Sequence, residues 1–394
     1  MMQDSIAYNK SIAMLHTASQ QAGFVAAVQN HDNYRRIWTR DGTVCSLAAI
    51  LSNDEQLIMT ARATIETVFL HQHPVGYMPS NVTPQTKQVS YGGIVGRADN
   101  PSWAVIGLCH YTLATGDRSL ADRFAREVEK CFSLLTAWEF NGKHLVYVPQ
   151  SGDWADEYIQ HGYILFEQLL RIWALRLAAK VYGKEEWAQK AALIKTTVQN
   201  NYWQQPDTQK LYAPNMAERL NTAFNGYWLM GFNPSRIYEY FDLQANSLAC
   251  LLKVGDESRQ AACVQWMDDL RKQKNNLLPS FHPTIEHTDP DMKELRNNHT
   301  YSFRNLPYQF HNGGLWPVWN GLLAMAFADS GKQDAAWAIT AAIHKANGDD
   351  FNECLHGQHF QPCGVSQCAW SAAGAIIAEQ ALLGKRLIMI TDGE

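Results

Sequence analysis

Apolar residues recur at helical spacing along almost the whole chain, and runs of strict alternation are short, so the pattern predicts a protein built from helices. Twelve segments carry it, near 4–22, 42–52, 54–72, 100–115, 118–139, 161–182, 184–203, 242–253, 257–273, 314–330, 333–347 and 366–383. Their links are of two kinds. After the even-numbered helices they are tight: Ser-Asn-Asp at 52–54, Thr-Gly-Asp at 115–117, Tyr-Gly-Lys at 182–184, Val-Gly-Asp-Glu at 254–257 and Ser-Gly-Lys at 330–332. Gly116, Gly183, Gly255 and Gly331 stand there where a left-handed residue would end one helix before its antiparallel partner begins. After the odd-numbered helices the links are long: 23–41, 73–99, 140–160, 204–241, 274–313 and 348–365. Antiparallel helices alternate their ends, so the long links should all emerge on one face.

The hairpins recur roughly every 60–75 residues, the mark of a repeated helical unit. Six of them either stack in the open or close into a ring. The last helix, CAWSAAGAIIAEQALLG, is too apolar to cap an open stack, which favours closure. The expectation is one all-α domain over residues 1–394, with an elaborated and a plain face.

Composition narrows the partners. Of the 394 residues, 46% are hydrophobic and 18% charged, the profile of a globular protein with an ample core. A net charge of −5 offers no basic field for nucleic acid. The first residues, MMQDSIAYNKSIAML, lack the basic start and apolar core of a signal peptide, and no apolar run reaches membrane-spanning length. Cys45, Cys109, Cys131, Cys250 and Cys263 sit inside apolar helical segments and read as reduced core residues of a cytoplasmic protein.

The candidate chemistry gathers in the long links. SGDWADEYIQHG (151–162) places Asp153 and Asp156 beside Trp154. An apolar wall raises a carboxyl pKa, and a protonated carboxyl is what cleavage of a glycosidic bond requires. The indole also suits the apolar face of a sugar. NYRRIWTRDG (33–42) crowds Arg36, Trp38, Arg40 and Asp41 at one loop-to-helix junction, while Asp99 and Asp242 stand at two others. FHNGGLWPVWNG (310–321) and FNECLHGQHF (351–360) precede two more helices. Any one acid there also suits a helix N-cap. A cap alone does not call for Arg40 beside Asp41, nor for tryptophans near so many acids. Cys354, His356, His359, Cys363 and Cys368 form a dense Cys/His group, but the spacing fits no common zinc pattern, so neither a metal nor another cofactor is expected.

Six of these segments, in order, resemble the helical-toroid glycoside hydrolases, especially the alkaline/neutral invertases and the amylo-α-1,6-glucosidases. They are NYRRIWTRDGTVCSLAAIL, RADNPSWAVIGLCHYTLATGD, GDWADEYIQHGYILFEQLL, YEYFDLQANSLACLL, YQFHNGGLWPVWNGLLAMA and SQCAWSAAGAIIAEQALL. The resemblance implies a single (α/α)6 toroid and an inverting hydrolase of α-linked gluco-configured di- or oligosaccharides or small glucosides. It assigns the general acid to Asp156 and the base to Glu353. It sets Arg40, Asp41, Asp99, His311, Asn312, Trp316 and Gln367 near the sugar; Trp38, Asp153, Trp154 and His161 complete the candidate substrate-binding set. Asp153 rivals Asp156 as acid, and Glu157, Asp349 and Asp350 rival Glu353 as base. Glu157-Tyr158 and Gly42 depart from the invertase pattern of Arg-Arg and Phe, so sucrose does not follow automatically. The expected partner is a small carbohydrate, with neither nucleic acid nor membrane; a homo-oligomer is compatible. A sugar 2-epimerase on the same toroid, drawing on His311, His356 and His359, and a non-catalytic sugar-binding protein are the alternatives.

Overall fold

The computed structural model describes residues 5–29, 31–203, 212, 226–299 and 302–391, so part of the predicted link 204–241 and two residues of 274–313 lie outside it. The described helices are α1 (Ile6–Ala18), α2 (Thr39–Ser52), α3 (Glu55–Leu70), α4 (Asn100–Thr115), α5 (Ser119–Arg123), α6 (Ala125–Ala137) and α7 (Leu165–Tyr182). They continue with α8 (Glu185–Asn201), α9 (Leu243–Leu251), α10 (Glu257–Gln273), α11 (Asp291–Asn297), α12 (Pro317–Asp329), α13 (Gln333–Asn347) and α14 (Ala369–Leu382).

Helix α2 packs on α4, α4 on α7, α7 on α9, α9 on α12, α12 on α14, and α14 back on α2. That circuit is a closed inner ring, and the fold is an (α/α)6 toroid. The inner helices are apolar nearly all round because they are covered all round: every residue of α12 from Pro317 to Ala328 is buried. The outer helices α1, α3, α6, α8, α10 and α13 bury one stripe; in α6 it is Val128, Cys131, Phe132, Leu134 and Leu135. Two inner helices meet through glycine. A Cβ on Gly321 of α12 would lie 2.3 Å from the Gly374 carbonyl oxygen of α14.

The predicted helix 118–139 divides at Phe124 into α5 and α6, and α11 lies inside a link read as loop. Gly116, Gly183 and Gly331 take the left-handed conformation expected of them, with φ of 77°, 66° and 76°. Gly255 does not. After α9 it is Lys253 that turns left-handed, at φ 51°, while Gly255 leaves room for Arg259 and Trp228.

The long links meet on one face and pair as short antiparallel strands. β1 (Ser19–Gln20) joins β2 (Gly23–Phe24), and β3 (Ile37–Trp38), β4 (Asn81–Val82) and β5 (Val89–Ser90) form a second sheet. A third runs β6 (Tyr163–Ile164), β7 (Leu229–Asn233), β8 (Arg236–Asp242), β9 (Phe281–His282), and β10 (Cys354–Leu355) pairs with β11 (Pro362–Cys363). Backbone bonds tie link to link: Thr39 N–H to the Ser80 carbonyl, Ala98 to Gly152, Leu315 to Leu355, Val28 to Gln367. Among the described residues, no helix is long and apolar enough to cross a membrane.

Candidate active site

The inner helices begin on the loop face, so their N-terminal residues and the preceding links converge there. Arg40 and Asp41, in the first turn of α2, are both buried, as is Asp99 at the head of α4. Arg40 Nη1 donates to Asp99 Oδ2 at 2.6 Å. Burial disfavours the Arg40 charge, but Asp99 and Asp41 more than offset it and hold the guanidinium ionised. Burial pushes the Asp41 carboxyl up to about 6 against the pull of Arg40.

The third link supplies the two aspartates in different settings. Asp153 is 1% exposed and both its oxygens are taken, one by the Trp154 N–H and one by Gln160 Nε2. Burial raises it to about 6. Beneath it Glu167 is held well above the usual carboxylate range, by burial first and then by the Asp99 and Asp153 charges. Asp156 points outward, its side chain 36% exposed, with Oδ2 accepting from Arg97 Nη2 at 2.5 Å.

Glu353 comes from the sixth link, immediately before β10, and is 6% exposed. The Tyr34 hydroxyl lies 3.0 and 3.1 Å from its two oxygens, and the Val365 N–H donates at 3.3 Å. Burial raises the carboxyl to about 7, while Tyr34, Val365 and Arg304 pull it down. Gly364 makes the space: a Cβ there would lie 2.2 Å from Glu353 Oε2. Of the rival bases, Glu157 is buried at the same mouth and the other two are exposed. Asp349 is an exposed partner of Lys10, Asp350 is exposed, and Glu157 faces Arg304 at 3.4 Å.

Arg304 binds the arrangement together. Its half-exposed guanidinium lies 4.8 Å from the Phe310 ring centre and feels Glu157, Tyr34, Glu353 and Asp156. Arg40 in turn feels Asp156, and Glu353 feels Asp41. Asp156 and Glu353, from links far apart in the chain, thus share one charged mouth.

Its floor is aromatic. The Trp154 ring meets His311 at 4.8 Å, Trp319 at 5.1 Å and Trp316 at 5.3 Å, and His311 stacks on Trp316 with planes 6° apart. Trp154 and Trp316 are each 2% exposed, so the expectation that Trp154 offers a free stacking face is corrected: neighbouring rings cover it. Burial lowers the His311 pKa well below the usual value, and its Nδ1 has no partner among the described residues.

Other expected residues stand elsewhere or act otherwise. Asn312 is a loop staple: Nδ2 donates to the Ile285 and Asn305 carbonyls and Oδ1 accepts from the Ile285 N–H, leaving no donor for a sugar. His161 engages both ring nitrogens with Asn233 and Tyr238 on the four-stranded sheet. Half-buried Trp38 ends β3 and donates Nε1–H to the Asn33 carbonyl. Gln367 is left-handed at φ 54°, its backbone bridging Asp350 and Val28.

Several buried polar atoms lack a partner among the described residues: Arg40 Nε, Asp99 Oδ1, Glu167 Oε1, Asp242 Oδ2 and both amide ends of Gln244. Native interiors rarely leave such groups unpaired without a ligand, water or function to meet them. No group of three His, Cys, Asp or Glu side chains among the described residues is arranged to hold a metal ion. Two cavities lie apart from the mouth, about 610 Å³ under the tail residues Leu387–Thr391 and about 550 Å³ beside Trp266 and Tyr240. None of the residues with these unpaired atoms lines either one.

Residues 195–384, which include Glu353, match the family described as alkaline and neutral invertase. This chain is similar to the alkaline and neutral invertases. The probable alkaline/neutral invertase D of Arabidopsis thaliana is 22% identical over 94% of this chain and 80% of its own length. Cytosolic invertase 1 of Oryza sativa subsp. japonica is 23% identical over 92% and 74%. Among solved structures, the GH63 mannosylglycerate hydrolase from Thermus thermophilus superposes with a TM-score of 0.68 at 14% identity, covering 94% of this chain and 99% of that one. A bacterial glucoamylase complexed with acarbose gives 0.67 at 14% identity, over 98% of this chain and 56% of that one. The invertase-family match and the two invertase relatives support glycoside hydrolase activity for this chain.

Arg304, Tyr34, Arg97 and Glu167 were not singled out from the sequence. Tyr34 lies inside the quoted NYRR stretch and Glu167 inside GYILFEQLL, but nothing local to either shows its partner.

Proposed function

We propose that this glycoside hydrolase inverts the anomeric centre of an α-linked, gluco-configured small sugar, with Asp156 as general acid and Glu353 as general base. What supports the reading is that the charges of Asp156 and Glu353, with that of Glu157, all act on the Arg304 guanidinium. Asp156 Oδ1 carries no hydrogen bond among the described residues and its side chain is open, so it can meet a leaving-group oxygen. Asp153, buried with each oxygen accepting one hydrogen bond and its carboxyl pushed up to about 6, is the rival for this role. Asp156 gives its proton to the departing oxygen while Glu353 takes one from the attacking water, and solvent then resets the two. Glu353 acts only when ionised, so hydrolysis should grow as pH rises through about 7. The unpaired polar atoms of Arg40 and Asp99 supply hydrogen bonds for sugar hydroxyls.

The isomerase alternative finds little support. His356 and His359 stack on each other at 4.8 Å on the outer hairpin, and His311 is sealed by rings. We further propose that residues 1–394 act as one catalytic domain, since the ring draws on helices from Ile6 to Leu382. A cytoplasmic setting is supported by eight free cysteines and by a relative named a cytosolic invertase.

The test is a panel of sucrose, trehalose, maltose, isomaltose, kojibiose and glucosylglycerate, read for released glucose and the anomer formed first. Asp156→Asn should lose roughly 10²–10⁴-fold on these, yet far less on an activated aryl glucoside; Glu353→Gln should be crippled on both. Free sugars interconverting with no bond cleaved, or product of retained configuration, would sink the reading.

A further inference from the structure

Cys354 and Cys363 face each other across the β10–β11 pair, one residue either side of groups that set the Glu353 carboxylate. Directly opposed residues in an antiparallel pair have Cα atoms about 4.5–5.5 Å apart, inside the roughly 4.4–6.8 Å that a disulfide spans. The Cys363 thiol donates to the Gln361 carbonyl at 3.8 Å, at the turn end of the same hairpin. Cys354 is buried and Cys363 is half-buried, reachable from solvent on the hairpin. We propose that Cys354 and Cys363 form a peroxide-oxidisable dithiol whose disulfide switches off the adjacent Glu353.

Reactivity is divided between the two. The Cys354 hydrogen bond, helped by the Phe310 N–H, lowers the Cys363 pKa against burial, while burial raises Cys354. The thiolate is the attacking form, so Cys363 reacts first. Its sulfur attacks a peroxide oxygen, the O–O bond breaks, and a sulfenic acid forms with release of water. The Cys354 thiol then attacks that sulfur, the S–O bond breaks, and a second water leaves. Two thiols and one hydrogen peroxide become one disulfide and two waters; the sulfurs lose two electrons and the peroxide gains them.

The consequence for the site follows from contact. Glu353 N–H donates to the Val365 carbonyl at 2.8 Å, and Val365 N–H returns to Glu353 Oε2 at 3.3 Å. Gly364, next to Cys363, has no room for even a Cβ against that carboxylate. Drawing the sulfurs of these opposed residues to bonding distance shifts the strand on which this fit depends. This half of the proposal rests on Glu353 being the base.

The experiment treats the full-length reduced protein with hydrogen peroxide and reads two quantities. Cleavage after lysine releases one peptide, 346–385, holding all three local cysteines. It should lose the mass of two hydrogens, with fragmentation suppressed between positions 354 and 363, and dithiothreitol should reverse this. Glucose release should fall at least about tenfold and recover with the reductant. Cys363→Ser should show neither change, and Cys368→Ser should show both. No mass loss, or loss that vanishes in Cys368→Ser, overturns the dithiol. Mass loss with unchanged hydrolysis overturns the switch. A reduced protein inactive on every sugar counts against the proposed hydrolysis instead, leaving the mass reading to decide the dithiol.

Discussion

Tyr34→Phe isolates what sets the base. The hydroxyl donates to a carboxylate, and such a bond is worth roughly 1.5–3 kcal/mol. At about 1.4 kcal/mol per pKa unit that is a shift of one to two units. The Val365 N–H and Arg304 remain to share the load, so about one unit is expected. The bond favours the ionised form; without it Glu353 holds its proton more tightly, and the midpoint moves from about 7 to roughly 8. Because the base works ionised, the acid-side limb of kcat/KM against pH should move up by that amount. The loss should approach tenfold at about pH 6 and below, be about fivefold near pH 7 and largely disappear near pH 9. The assay is glucose release at low substrate concentration from about pH 5 to 10, where kcat/KM reports the free enzyme. A limb that stays in place, or moves to lower pH, would refute the argument that Tyr34 tunes Glu353.

Three further outcomes are expected. Gly364→Ala, which forces a methyl to within 2.2 Å of Glu353 Oε2 at a backbone φ of 75°, should abolish most hydrolysis while circular dichroism stays that of the parent. Asp153 binds a proton more tightly folded than unfolded, so its contribution to stability is present below about pH 4 and lost as pH rises through about 6; Asp153→Asn should therefore raise the urea midpoint at pH 8, by an amount worth about 1–3 kcal/mol, and change it little at pH 4. Dialysis against EDTA should leave hydrolysis unchanged, and activity restored only by added metal would contradict the metal-free assignment.

The helices were legible because a ring covers its inner helices on every side and its outer helices on one. That difference is written directly into residue spacing, as in α12 against α6. The one-sided loops followed from link lengths. What could not be read were pairings across links, which depend on three-dimensional closure. Asn312 was placed near the sugar by resemblance to the invertases, yet three backbone groups, of Ile285 and Asn305, claim its amide. Trp154 signalled an aromatic site correctly but not that other rings would seal it. Arg304 carried no local signal, since its importance lies in which carboxylates surround it.

The ring closes between α14 and α2, and the mouth takes Arg40 and Asp41 from the opening hairpin and Glu353 from the closing one. Chain growth on the ribosome therefore delivers the proposed acid and sugar-holding groups long before the proposed base. On that assignment a product of premature termination upstream of the last hairpin lacks Glu353 and should be silent. A clipped molecule that sheds its final helix loses in one cut both the keystone of the scaffold and the platform beside the base. Loss of the last hairpin, by truncation or by clipping, is therefore expected to abolish activity rather than to weaken it in proportion to the residues removed.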